Sequence, residues 1–147
     1  MLSDEHLSSF RERGYCVVDG FKSKAELEAL RAAALSIVEE FDAEGQRSIF
    51  TTRDHAKTRD DYFLTSGGKV RCFFEEEAFD EAGELAQAKA LSINKIGHAM
   101  HDLDPVFGAF SRDPRCGVIA RQLGHTDPKI WQSMYIFKQP RIGGAIN

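Results

Sequence analysis

At positions 130–137 the chain reads Ile-Trp-Gln-Ser-Met-Tyr-Ile-Phe, eight residues without a formal charge. Aromatic and β-branched side chains at this density suit a pleated strand better than a helix. Alternation puts Trp131, Ser133, Tyr135 and Phe137 on one face, and Ile130, Gln132, Met134, Ile136 and Lys138 on the other. Neither face reads as a solvent face, so the strand is expected to be covered on both sides. Everything before it must supply the sheet and the cover. Pro140 ends its ladder, and Gly143-Gly144 predicts a tight turn.

The 147 residues, 42% of them hydrophobic and eleven of them Phe, suffice for one domain with a real core. A net charge of -4 provides no basic footprint, which argues against nucleic acid as a partner. No apolar run approaches the roughly 20 residues of a membrane span. The start, Met1-Leu-Ser-Asp-Glu-His6, lacks the basic and apolar regions of a signal peptide, so the expectation is an intracellular, cytoplasmic protein. Cys16, Cys72 and Cys116 are odd in number and show no CxxC spacing, and they read as small buried hydrophobes.

In order along the chain, Ser3 is placed to cap a helix over 3–13 that Gly14 stops. A brief strand is expected over 15–18. Ser23 and Glu26 form a capping box for a helix reaching about residue 43, its inward face marked by Leu27, Leu30, Ala34, Ile37, Val38 and Phe41. Residues 46–61 read as a long polar loop. Apolar runs at 62–64 and 69–74 around Thr65-Ser-Gly-Gly68 predict a hairpin, and 75–84 an acidic turn region. Residues 92–102 predict a third helix with Ile93, Ile96, Met100 and Leu103 inward, in which Gly97 implies close packing against another element. Asp104-Pro105 opens a turn, and Asp113-Pro114 a helix through Leu123.

Two histidine groupings invite a metal reading. His98 and His101, three apart on the expected helix, would share a face, but Asp102 and Asp104 are badly placed as a third ligand. His125-Thr126-Asp127 is a literal H-x-D, half of a two-His-one-carboxylate iron triad. It follows a helix-stopping glycine and has no histidine after it, so it reads as a loop with a helix-capping histidine. No metal ligand is assigned. Gly67-Gly68-Lys69 is too short for a phosphate loop.

Four segments together carry a resemblance. They are Asp61-Tyr-Phe-Leu-Thr-Ser-Gly-Gly-Lys-Val-Arg71 with Phe73-Phe-Glu75, Ser92-Ile-Asn-Lys-Ile-Gly-His-Ala-Met-His101, Asp104-Pro-Val-Phe107, and Gln132-Ser-Met-Tyr-Ile-Phe-Lys-Gln-Pro140 with Gly143-Gly144. In content, order and separation they resemble the phytanoyl-CoA dioxygenase family, over essentially the whole chain. The resemblance implies an α+β fold in which N-terminal helices, a hairpin and a first core strand begin a double-stranded β-helix, of jelly-roll or cupin-like type. It also implies an oxygenase using Fe(II), 2-oxoglutarate and O2 to hydroxylate a small-molecule substrate.

In that family an iron-binding H-x-D follows the Gly-Gly turn after a short spacer, and a distal His and a 2-oxoglutarate-binding Arg lie about a hundred residues further on. Here Ala145 stands where the family usually has Glu, and the H-x-D would begin two residues past Asn147. Residues 1–147 are thus expected to be a single partial domain with an incomplete barrel, inactive alone and not holding iron or 2-oxoglutarate stably. The resemblance still implies cosubstrate contacts for Met134 and, on the same face, Gln132. A family lysine just before the Ser-Ile-Asn-Lys segment aligns with Leu91, and Lys89 stands two residues earlier as its candidate replacement. Two alternatives stay open: a short non-catalytic form that binds or regulates by strand pairing with a full-length relative, and a gene-model error after Gly144.

Overall fold

A computed structural model describes residues 1–50, 60–140 and 142. Its elements are α1 (Asp4–Arg13), α2 (Lys24–Glu40), α3 (Asp61–Leu64), β1 (Val70–Phe74), α4 (Lys89–Ser92), β2 (Ile93–His98), α5 (Met100–Leu103), α6 (Pro105–Ser111), α7 (Pro114–Gln122) and β3 (Ser133–Ile136). The three strands form one antiparallel sheet in the order β1-β2-β3.

The three long helices are set by their caps. Ser3 accepts from the His6 amide and the His6 ring takes the Ser3 amide, while Gly14 closes α1 at φ 80°. Ser23 and Glu26 form the reciprocal box that opens α2. Asp113 accepts the Arg115 amide and Pro114 takes the first position of α7. Local chemistry alone decides these three starts.

The core lies between α2, α6 and one face of the sheet. Leu30, Ala34 and Val38 of α2 meet Cys72, Phe74, Ile96, Met100 and Phe107, with Tyr135 and Phe137 at the margin. Phe74 pairs edge-on with Phe79 at 4.9 Å, and Phe107 with Tyr135 at 6.1 Å. Each fully buried Phe or Ile here contributes about 1.5–3 kcal/mol. Leu27, expected inward, is 47% exposed because it sits on the outer side of α2.

The largest difference from expectation arises where long-range pairing competes with local pattern. Residues 93–98 are the central strand, not a helix. Ile93, Ile96, Met100 and Leu103 fit a helical period, yet β2 is buried on both faces, and a doubly covered strand shows no alternation to betray it. Leu103 is 61% exposed in the short α5 that follows. Gly97 does pack closely on another element, since a Cβ there would stand 3.8 Å from Met134 Cγ on β3.

No hairpin joins 62–64 to 69–74. Asp60 accepts from the Phe63 amide at 2.7 Å and folds 61–64 into a helical turn, so β1 pairs with β2 instead. Residues 15–18 form no strand, and Tyr15 and Val17 stand exposed. The turn expected after Asp104 is a helix, because Asp104 caps the amides of Val106 and Phe107, both at 2.9 Å. All three cysteines are free, with Cys72 buried and the other two half-buried. The expected turn at Gly143-Gly144, and most of the 46–61 loop, lie outside the described residues.

Candidate functional site

The second face of the sheet carries the chemistry. The β1-β2-β3 register sets Phe73 beside Lys95 and Lys95 beside Ile136, with Gly97 beside Met134. Phe73 is fully buried and Lys95 only 4% exposed, whereas Met134 and Ile136 are 45% and 50% exposed. This face is therefore covered over β1 and β2 and open over β3. The cover comes from Phe63 on α3 and from Phe50, whose segment is clipped to β1 by two backbone bonds with Phe74, each 2.9 Å. The two-sided cover expected for the last strand is not found among the described residues. Trp131, just ahead of β3, is 91% exposed.

Lys95 is the residue that needs explaining. A buried ammonium is costly unless paired, and among the described residues no carboxylate lies within ion-pair distance of it. Its Nζ instead lies over three rings, 3.4 Å from the Phe50 centroid, 5.4 Å from Phe73 and 5.5 Å from Phe63. Its polar contact is the Met134 sulfur at 3.9 Å. Burial pushes its pKa down to about 8.

His98 completes the face. Its ring stacks near Phe63 and Phe73, at 5.8 and 5.6 Å, and burial together with the Lys95 charge holds its pKa below the usual imidazole value. Ser66 donates its hydroxyl proton to the Phe63 carbonyl at 2.5 Å, so the 2.8 Å contact to His98 Nδ1 requires the imidazole to donate. His101 turns elsewhere. Its Nδ1 and backbone amide both meet Ser133 Oγ, at 3.0 and 3.1 Å, and Ser133 in turn donates to the His98 carbonyl. The two histidines are engaged with different serines and do not share a helix face.

Of the residues that the sequence singles out as cosubstrate contacts, Met134 lies on the open face, and Gln132 stands exposed just ahead of β3. Lys89 does not join them. Its Nζ binds the carbonyls of Glu39 and Phe41 at 2.8 and 2.9 Å, capping the C-terminal end of α2, while Leu91 is 48% exposed. The lysine beside Met134 is Lys95, which a helical reading of 92–102 leaves on the polar side. A cation flanked by Ile93 and Ile96 was the available signal.

Asp127 of the H-x-D tripeptide pairs with Lys129 at 3.0 Å on the surface, and the His125 amide bonds the Ala120 carbonyl behind α7. No group of three or more His, Cys, Asp or Glu among the described residues could hold a metal ion. A separate groove of about 450 Å³ between α2 and β1 contains Tyr62 and Cys72. Burial raises both to about 12, so neither is a nucleophile at neutral pH.

The architecture is α+β, with an unclosed antiparallel sheet backed by helices on one face and presenting a buried cation on the other. Residues 10–146 match the family model described as Phytanoyl-CoA dioxygenase (PhyH), and the chain belongs to that family, whose fold is cupin-like. The chain is 45% identical over 145 residues to "Phytanoyl-CoA dioxygenase 1" of Oryza sativa subsp. japonica, covering 99% of this chain and 51% of that one. It is 43% identical to "Phytanoyl-CoA dioxygenase" of Arabidopsis thaliana, again over 99% and 51%. Against "Phytanoyl-CoA dioxygenase domain-containing protein 1" of Danio rerio it is 44% identical over 152 residues, covering 99% and 52%. The chain spans about half the length of these curated relatives. No helix among the described residues is long and apolar enough to cross a membrane.

Proposed function

We propose that residues 1–147 are the N-terminal part of an Fe(II)- and 2-oxoglutarate-dependent dioxygenase whose double-stranded β-helix is completed by further chain. The open face of the sheet is then one wall of the cosubstrate pocket. Lys95 offers its ammonium to a carboxylate of 2-oxoglutarate, Met134 lines the pocket beside it, and Gln132 borders it. The observation that carries this reading is Lys95 itself, buried and without a carboxylate partner among the described residues, next to Met134. An incoming carboxylate would supply the missing counter-ion.

Lys89, tied to the end of α2, is assigned a capping role in this reading and not a cosubstrate one. Iron would supply the redox chemistry that couples 2-oxoglutarate decarboxylation to hydroxylation of a small molecule. The described residues do not offer it a ligand set, so the iron ligands are assigned to the continuation. This chain's share of the work is to bind and orient the cosubstrate and to exclude water through Phe50, Phe63 and Phe73.

The test is to sequence the native transcript across the codons for Gly143 to Asn147 and to weigh the endogenous protein. A frame continuing into a Pro-His-x-Asp-like motif supports the reading. A native mass near 16.5 kDa overturns it in favour of a short binding or regulatory form, which the edge of β3 that no described strand meets would serve by pairing with a full-length relative. Independently, the purified chain supplied with Fe(II), 2-oxoglutarate and O2 is expected to release no succinate. Succinate above a no-protein control would refute the assigned division of labour.

A further inference from the structure

We infer that Phe50, Phe63 and Phe73 form an aromatic cradle that holds Lys95 charged and positioned for an incoming carboxylate, with Phe50 as its controlling wall. The inference deepens the reading of Lys95 given above and rests on it for the identity of the anion.

Three rings within 5.5 Å of one Nζ is a site built for a cation. A carboxylate in their place would neutralise Lys95 and compete with a carboxylate ligand. Ring faces attract the ammonium through their quadrupoles and leave its charge available. Among the described residues the other groups facing Lys95 add no compensating negative charge: Ile136 and Met134 from β3 are neutral, and His98 from β2 is held toward its neutral form. Burial opposes the charge, and among the described groups it is the three ring faces that oppose that cost.

The three walls are not equivalent. Phe73 is fully buried in β1, and Phe63 packs at once on Phe73, His98 and Phe50, so both also hold the sheet together. Phe50 is half-buried, touches Phe63 at 6.3 Å, and lies closest to the ammonium at 3.4 Å. Its position is fixed by its backbone amide, which bonds the Phe74 carbonyl at 2.9 Å. Replacing the ring leaves that clip in place, so Phe50 can be altered without dismantling the sheet.

The experiment follows the Lys95 titration by NMR in the purified 147-residue chain labelled with ¹³C-lysine, assigned with K95M. In F50L the midpoint should fall by roughly one unit, and F50W should restore it. Trifluorophenylalanine at position 50 keeps the ring's shape and drains its π face, so it should lower the midpoint as well, which a purely structural role would not do. Midpoints within about 0.2 unit of wild type in both variants, with circular dichroism unchanged, would overturn the cradle. Binding of 2-oxoglutarate to the complete protein separates the two claims. If the cradle variants shift the midpoint but K95M in the complete protein binds 2-oxoglutarate as tightly as wild type, the cradle stands and the assignment of the anion falls.

Discussion

Lys95 binds its proton less tightly in the folded chain than an exposed lysine does, because burial lowers its pKa from 10.5 to about 8. Between these values the unfolded state holds more protons, so stability rises with pH from about 8 to about 10.5. K95M removes the charge and should lack that rise. Its expected gain over wild type, on the order of 1 kcal/mol, is largest below pH 8 and fades as pH approaches 10.5. Urea unfolding at pH 7 and pH 10 measures both ends. Ser133 makes the opposite case: its hydroxyl joins the His98 carbonyl to the His101 amide and ring, so S133A should cost about 1–2 kcal/mol in the same assay. An S133A chain as stable as wild type would remove that link from the account.

The three long helices begin where a side chain takes the first free amides, and those three positions were legible in the residues. Ser23 with Glu26, Ser3, and Asp113 with Pro114 each start a helix at the expected place. S23A should lower stability by about 1 kcal/mol, since it loses the acceptor for the Glu26 amide while α2 carries Leu30, Ala34 and Val38 into the core. Asp113 does more than cap. It pairs with Arg115 and reaches across to Lys22, which hold its carboxyl well below the usual carboxylate range. A carboxylate with a depressed folded pKa stabilises above its unfolded value and loses that contribution as pH falls. D113N keeps the capping oxygen but not the charge. Its melting temperature should therefore lie below wild type at pH 7 and converge on it in acid, and a gap independent of pH would contradict the ion-pair account. Strands were harder to read: β2 is covered on both faces, so its apolar spacing imitates a helix, and only pairing with Arg71 and Met134 distinguishes the two.

Across the whole molecule, one face of the sheet is packed and the other is closed over β1 and β2 but open over β3. β3 pairs with β2 on one side, and no described strand meets its other edge. Trp131, Met134 and Ile136 are exposed along it, as are Tyr15 and Val17 at the opposite end of the sequence. An uncapped edge with apolar neighbours invites strand addition. The isolated chain is expected to self-associate with rising concentration, and W131K to weaken association while changing stability by roughly 0.5 kcal/mol or less. Sedimentation velocity over a concentration series tests this, and a chain that stays monomeric throughout would show that the edge is protected.

The residues by themselves determined the starts of the three long helices, the strand at 133–136 and, through four matching segments, the family. These depend on neighbours within about four positions, or on patterns long enough to be specific. Only the tertiary structure decided that 93–98 is the central strand, that 61–64 turns back as a helix, and that Lys95 rather than Lys89 stands beside Met134. The first and last of these depend on contacts between residues some twenty to fifty positions apart, where burial and strand pairing outweigh local propensity, whereas the turn at 61–64 rests on the local Asp60 cap.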